Sequence, residues 1–347
     1  MSGIVAVSAT RGQQVTPFAT ALPSLAELRA ARERAAAHTI RTPLVRLPAW
    51  PGEREIWLKL ECLQPIGSFK IRGATNALAL ASRDALTAGV ATASAGNMAQ
   101  GVAWAARALG VRCTVLAPDH APAAKLEAIA RLGADVVKVP FARWWQALEE
   151  RSFPGLEGLF VHPVSDEAVI AGNAGAGLEI LEDLPAVAAV LVPFGGGGLS
   201  CGIAAALRAA GSRAGTYGCE VATAAPLASS FAAGAASAIE HQPSFVDGIG
   251  GRAVLPEMWP LVRQLLAGAC VSSLEQVAAA IRALVTRAHV VAEGAGGASL
   301  AVALGDGVVT GGEGSPAKLP DGPLVCVISG GNIDPAKLAM ILEGRVP

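Results

Sequence analysis

The chain has 347 residues, of which 52% are hydrophobic and 16% charged, so it can bury a large core and lacks the low hydropathy and high net charge of a disordered chain. Its 27 basic and 28 acidic residues leave a net charge of −1, which excludes an overall positive field for nucleic acid or an anionic membrane surface. No run of about 20 uninterrupted apolar residues appears, so no membrane span is expected. The six cysteines are scattered without a CxxC pair, which argues against structural zinc and for free thiols in a reducing cytoplasm.

Residues 1–20 lack the charged start and long apolar core of a signal peptide and read as a poorly ordered lead-in. Ser24-Leu25-Ala26-Glu27 has capping-box spacing and opens an Ala- and Arg-rich helix that has ended by Thr42-Pro43. Glu55–Glu61 alternates with period two, which predicts a half-buried strand. Strand-like runs follow at Val90–Ala93, Cys113–Ala117, Val136–Val139, Ala188–Pro193, Thr216–Cys219 and Leu324–Ile328. Between them lie helical patterns at Ala99–Leu109, Ala123–Leu132, Ile170–Leu181 and Ser200–Ala210. This rhythm predicts an α/β fold of parallel sheets covered by helices on both faces. The strands are too many for one compact nucleotide-binding unit, so two α/β domains are expected. Gly305–Gly322, rich in Gly and Pro, reads as a flexible surface connection. No internal repeat is evident.

The sharpest local feature is Val192–Ser200, in which Gly195, Gly196, Gly197 and Gly198 follow an apolar strand and open a helix. Backbone N–H groups and a helix N-terminus there favour an anion such as phosphate; a tight strand–helix turn is the plainer alternative. The segment also nearly matches the dinucleotide fingerprint, with Glu220 about 20 residues further on, so a dinucleotide stays open on these residues alone. Lys70 lies among Gly67, Phe69 and Ile71, which suggests burial, a lowered pKa and a nucleophilic amine suited to a Schiff base. A solvated surface lysine is the commoner case. Ser94–Met98 and Ser329–Asn332 each follow a strand at the end where open α/β sheets bind ligands, although each alone could be a helix cap or a turn.

Taken in order, SFKIRGATNAL around Lys70, SAGNMAQGVA at Ser94–Ala103, GGGGL at Gly195–Leu199, AEGAGGAS at Ala292–Ser299 and SGGN at Ser329–Asn332 resemble the fold-type II pyridoxal-phosphate enzymes. Within these the chain is similar to the threonine/serine dehydratase and serine racemase family, from about Thr42 to Asn332. The resemblance implies two open twisted parallel-sheet domains with flanking helices, like the tryptophan synthase β-subunit, with pyridoxal 5'-phosphate in the cleft between them. The large domain would comprise residues 21–88 and 167–347, and a small mobile domain 89–166. Lys70 would be the Schiff-base lysine and take the Cα proton. Phe69 would pack on the cofactor ring, Asn97 bond the ring hydroxyl and Ser329 meet the ring nitrogen. Gly195, Gly196, Gly197, Gly198 and Leu199 would form the phosphate cradle. Ser94 and the backbone of Ala95, Gly96, Asn97 and Met98 would hold the substrate carboxylate, with Glu293 near the reaction centre. Ile71 before Arg72, where the sulfhydrylase and threonine synthase branches usually read Asp, points toward the dehydratases.

Several positions depart from the family pattern. Ala95 stands where racemase-like members carry a serine acid/base, so two-base racemisation should be poor, and Met98 replaces a histidine. The cation site of some relatives maps onto Glu220, Ala224 and Pro226, which lacks one carboxylate; no metal is expected, and Glu220 reads as a surface carboxylate. Val164 and Gly251 make the side-chain pocket less polar or roomier, while Arg252 is either a second-carboxylate contact or an exposed arginine. His120, His162, His241 and His289 do not cluster. The sequence stops at Pro347, soon after SGGN, so no distal feedback domain is expected. The expected activity is elimination of water from a β-hydroxy-L-amino acid to a 2-oxo acid and ammonia, by a cytoplasmic homodimer acting on a small amino acid, with no nucleic-acid or membrane partner. The alternatives are an amino-acid racemase, a pyridoxal-phosphate-dependent β-replacement enzyme and a low-turnover protein that binds pyridoxal phosphate or an amino acid.

Overall fold

A computed structural model describes residues 17–347 except 19, 50–52, 157, 250 and 312–315, so most of the expected lead-in lies outside the described residues. The chain opens with α1 (Leu25–Ala36), β1 (Leu44–Arg46), β2 (Ile56–Lys59), α2 (Lys70–Leu80) and α3 (Arg83–Thr87). Next come β3 (Val90–Ala93), α4 (Asn97–Leu109), β4 (Cys113–Pro118), α5 (Ala123–Arg131), β5 (Asp135–Val139), α6 (Phe141–Glu150) and β6 (Leu159–Phe160). There follow α7 (Glu167–Asp183), β7 (Ala189–Pro193), α8 (Gly198–Ala209), β8 (Gly215–Val221), α9 (Pro226–Ala233), α10 (Trp259–Leu265) and β9 (Gly268–Ser272). The chain ends with α11 (Leu274–Ala283), α12 (Gly294–Leu304), β10 (Val308–Thr310), β11 (Pro316–Lys318), β12 (Leu324–Val327) and α13 (Pro335–Leu342).

Ser24 caps α1 through the expected box, its hydroxyl accepting from Glu27 N while the Glu27 carboxylate accepts from Ser24 N. The strands form two sheets. One has eight strands in the order β1-β2-β12-β7-β8-β9-β10-β11, and the other four in the order β5-β4-β3-β6. The smaller sheet is parallel throughout. In the larger one β2, β12, β7, β8 and β9 run parallel, while β1, β10 and β11 pair antiparallel at the edges. The expectation of parallel sheets therefore holds for the whole of the smaller sheet and for the five strands β2, β12, β7, β8 and β9 of the larger one. Gly305–Gly322 is not simply a loop: β10 and β11 within it form a hairpin that extends the sheet edge, a pairing that its glycine and proline content conceals. No described helix is long and apolar enough to cross a membrane.

The smaller sheet packs around Val90, Val102, Cys113, Val115 and Ile129, and α2 and α7 lend Ala74, Leu78 and Val169 to that core. Helix α2 is therefore a spine shared by the two sheets. It is held by a buried ion network. Arg72 donates from Nε to Glu61 Oε2 at 2.7 Å and from Nη2 to Glu61 Oε1 at 2.8 Å. The same guanidinium donates from Nη1 to Glu179 Oε1 at 2.7 Å and from Nη2 to Glu179 Oε2 at 2.8 Å. Lys59 completes the network through Glu179 and donates to Thr42 O at 2.6 Å, while the Thr42 hydroxyl donates to Glu61 Oε1 at 2.6 Å.

Lys59 and Glu61 are fully buried, so the half-buried reading of Glu55–Glu61 is corrected. The alternation describes one face of β2, but Glu179 of α7 meets Lys59 from elsewhere in the chain. Two cations and two carboxylates balance, which is what allows them to leave water together. Burial alone would lift the Glu61 carboxyl, yet Arg72 and Lys59 hold it below its ordinary value. Its contribution to stability is thus complete above the ordinary carboxylate range and is lost as pH falls through the lowered value.

Replacing Arg72 with Met leaves two buried carboxylates facing one lysine. Denaturant unfolding should register a loss of about 3–5 kcal/mol, and a loss below about 1 kcal/mol would show that the network does not anchor α2.

Candidate active site

Lys70 is the first residue of α2, and hydrogen bonds to the segment after β12 deliver it there. Cys62 N donates to Ile328 O at 2.9 Å, Phe69 N to Ser329 O at 3.0 Å and Gly331 N to Gly67 O at 2.9 Å. Gly67 turns with φ at +71°, and a Cβ there would lie 2.6 Å from Asn332 Oδ1, so the turn needs glycine. The Lys70 amine donates to the Pro163 carbonyl at 3.1 Å and lies 5.1 Å from the centre of the Phe69 ring. Burial pulls it down to about 8, against the opposing charge of Glu293. The residue as a whole is half-buried, and the lowered value expected of its amine is what burial produces here.

The Pro163 carbonyl is set by its neighbours. His162 Nδ1 accepts from Ser165 N at 2.9 Å and from Val164 N at 3.2 Å. Burial, then Arg151 and Lys70, push this histidine down to about 3, so it acts as a neutral brace for the loop. Val164 forms a wall of the glycine loop. A Cβ on Gly196 would lie 2.5 Å from Val164 Cγ1, and one on Gly198 would lie 3.0 Å from Val164 O. Gly197 caps α8 with φ at +97°, and a Cβ on Gly195 would lie 3.3 Å from Gly248 O. The loop therefore closes on three sides against backbone and valine methyls, with the N-terminus of α8 at its base. The Leu199 side chain is buried in the core of the larger sheet, which leaves its backbone for any ligand.

Ser94–Met98 leaves β3 and starts α4. Gly96 N donates to Ser94 Oγ at 3.2 Å, and a Cβ on Gly96 would meet nothing within 4 Å. Ala95 is half-buried, while the Met98 side chain belongs to the smaller core, so a ligand would meet the Met98 backbone only. Asn97 crosses from α4 to the larger sheet. Its Nδ2 donates to Glu293 Oε1 at 2.8 Å, and its Oδ1 accepts from Asn332 Nδ2 at 2.8 Å. Burial, then Asp247, push Glu293 up to about 7, although the Asn97 hydrogen bond acts the other way. Ser329 is buried just beyond β12.

Phe69, Lys70, Asn97, Glu293, Ser329 and the four-glycine loop thus gather at the carboxyl ends of the strands, joined through Pro163-Val164 and Gly248. Arg252 is exposed. Glu220 corrects its reading as a surface carboxylate: it is fully buried and accepts from Leu227 N at 2.8 Å and Ala228 N at 2.9 Å. Burial raises it to about 8 despite these bonds, and both its oxygens are committed to the start of α9. Among the described residues no group of three His, Cys, Asp or Glu could hold a metal ion. Sequence reasoning gives no role to the Pro163 carbonyl or to the Asn332 side chain; a backbone acceptor leaves no compositional trace, and SGGN signals Asn332 only as part of a turn.

Residues 36–330 match the model of the family described as pyridoxal-phosphate dependent enzyme. The chain belongs to this family. This pyridoxal-phosphate enzyme is 40% identical over 294 residues to the L-threonine ammonia-lyase of Geobacter sulfurreducens, covering 83% of this chain and 70% of that protein. It is 35% identical to a putative threonine dehydratase of Sinorhizobium fredii, covering 93% and 96% of the two chains. Among solved structures it is similar to maize serine racemase, with a TM-score of 0.84 and 28% identity over 93% of this chain and 97% of that one. The threonine deaminase of T.th. gives a TM-score of 0.79 at 34% identity over 90% and 99%. The residues present fit the cofactor: an amine lowered to about 8 suits its aldehyde, and a glycine loop with no room for a Cβ at Gly196 suits its phosphate.

Gly196→Ala should weaken pyridoxal phosphate binding by at least about tenfold, and Val164→Ala in the same chain should restore part of it, as fluorescence titration would read in a double-mutant cycle. Capture of the cofactor by apoprotein should speed up with pH and level off above about 8, because only the neutral Lys70 amine attacks an aldehyde; a flat profile across that range would contradict the lowered amine.

Proposed function

We propose that this chain eliminates water from a β-hydroxy-L-amino acid, giving a 2-oxo acid and ammonia. The observation that carries this reading is Lys70, an amine lowered by burial and hydrogen-bonded to the Pro163 carbonyl, whose neighbour Val164 packs on the four-glycine loop. The names of its relatives, threonine ammonia-lyase and threonine dehydratase, support it.

Bound pyridoxal phosphate supplies the electron sink that acidifies the substrate Cα–H. The backbone N–H groups of Gly195–Leu199 would hold its phosphate at the N-terminus of α8. Asn97 would donate to the ring 3′-oxygen, and Phe69 would pack against the ring. Ser329 would offer the ring nitrogen a hydroxyl, which does not enforce protonation as a carboxylate would. Such a site favours expulsion of a β-leaving group as the Cα proton departs. Ser94 and the backbone N–H groups of Ala95–Met98 would bind the substrate carboxylate at the start of α4. Lys70, released by the substrate amine, would take the Cα proton at Nζ, and Pro163 O keeps that amine within reach. In the balance the Cα proton and the Cβ hydroxyl leave together as one water, and a second water hydrolyses the resulting enamine, so the net products are the 2-oxo acid and ammonia.

Racemisation is disfavoured because Ala95 carries no proton. The small domain, residues 89–166, would move as a unit and close its Ser94–Met98 loop over substrate. The reading extends to a cytoplasmic homodimer; the six cysteines, all unpaired and buried, suit a reducing compartment.

Purified holoenzyme incubated with L-serine, L-threonine, 3-hydroxyaspartate and phenylserine should release 2-oxo acid and ammonia in equal amounts from at least one of them. It should interconvert L- and D-serine far more slowly, and Lys70→Ala should abolish release. Rapid racemisation, or activity retained in Lys70→Ala, would overturn the assignment.

A further inference from the structure

The Asn97 amide is held in a hydrogen-bond chain with a fixed direction. Asn332 Nδ2 donates to Ile66 O at 2.9 Å and to Asn97 Oδ1 at 2.8 Å, and Asn97 Nδ2 donates to Glu293 Oε1 at 2.8 Å. A peptide carbonyl only accepts, so the Asn332 nitrogen must face Ile66. The second N–H of that amide then meets Asn97, which must present its oxygen. This turns the Asn97 nitrogen toward Glu293 and leaves one of its two N–H bonds for another acceptor. A flipped Asn97 would set one NH₂ group against another. Asn332 is itself packed against the Gly67 turn, where a Cβ would lie 2.6 Å from its Oδ1.

We propose that Asn332 is a positioning residue that fixes the proton state of the bound cofactor by holding the Asn97 amide donor-side toward the 3′-oxygen. The inference rests on the reading that Asn97 meets that oxygen. A donor stabilises the deprotonated 3′-oxygen and so leaves the proton on the nitrogen that links the cofactor to Lys70. An acceptor in the same place stabilises the neutral 3′-hydroxyl and moves that proton from nitrogen to oxygen. The proton only changes its seat, and nothing is gained or lost. The form protonated on nitrogen is the better electrophile for the incoming substrate amine, so a residue that need not touch the cofactor sets how readily substrate enters.

The two forms differ in colour: the deprotonated oxygen gives a band in the violet, the neutral hydroxyl one in the near ultraviolet. Absorbance spectra of purified holoenzyme, with bound cofactor quantified after release by alkali, read the ratio directly. Wild type should show mainly the violet band. Asn332→Asp keeps the shape but turns an acceptor toward Asn97 Oδ1, and should lower the violet to near-ultraviolet ratio by about tenfold, one pKa unit at the 3′-oxygen. Asn332→Ala removes the amide without adding charge and should lower the ratio less, which keeps the test available if Asn332→Asp does not fold. A merely structural role would lower cofactor content or melting temperature and leave the ratio unchanged. If Asn97→Ala changes the ratio and the Asn332 variants do not, this inference falls and the reading of Asn97 stands. If Asn97→Ala leaves it unchanged as well, the reading of Asn97 itself fails.

Discussion

The site depends first on the pairing of Arg72 with Glu61 and Glu179 beneath it. Arg72 is two residues past Lys70 on α2, and its guanidinium uses two parallel hydrogen bonds on each carboxylate. Removed from water, these charges are solvated by one another, by Lys59, Thr42 and Gln64 and by the Ile40 carbonyl. Any other rotation of α2 would strand at least one of them at a cost of several kcal/mol. A flexible lysine in this place would supply charge without the fork, and with it less definition of angle. The helix that carries Lys70 is thus oriented by a buried ion network.

Two sheets then contribute opposite walls. The larger one brings the glycine loop after β7, the Ser329 segment after β12 and Glu293 at the start of α12. The smaller one brings Asn97 at the start of α4, and the Pro163-Val164 segment follows β6. Pro163-Val164 serves both ends of the site, with its proline carbonyl on Lys70 and its valine against the glycines. Burial moves Lys70 down to about 8 and Glu293 up to about 7. An amine and a carboxyl that ordinarily titrate some six units apart are brought to within about one, which suits a site that must move protons near neutral pH.

Much of this is legible in the residues, and what escapes has identifiable causes. The strands that lead into the site are short apolar runs bounded by polar turn residues, and Gly195–Gly198 exceeds what a turn needs. Glu55–Glu61 misleads because alternation registers one face of a strand and cannot see Glu179, which approaches from far along the chain. The β10–β11 hairpin is hidden because glycine and proline mark it as a loop, while its pairing depends on the edge that β9 offers. Glu220 reads as a surface group because nothing in the local sequence shows that α9 turns back to place two backbone N–H groups on it. The role of Asn332 depends on the direction of a hydrogen-bond chain through Ile66, Asn97 and Glu293, three positions distant in sequence.

The central claim is that Lys70, and no other lysine, is the covalent anchor of the cofactor. Borohydride reduction of the holoenzyme, followed by peptide mapping by mass spectrometry, tests it directly. A single pyridoxyl adduct is expected, on the peptide that contains Lys70. An adduct on another lysine, with Lys70 unmodified, would contradict it.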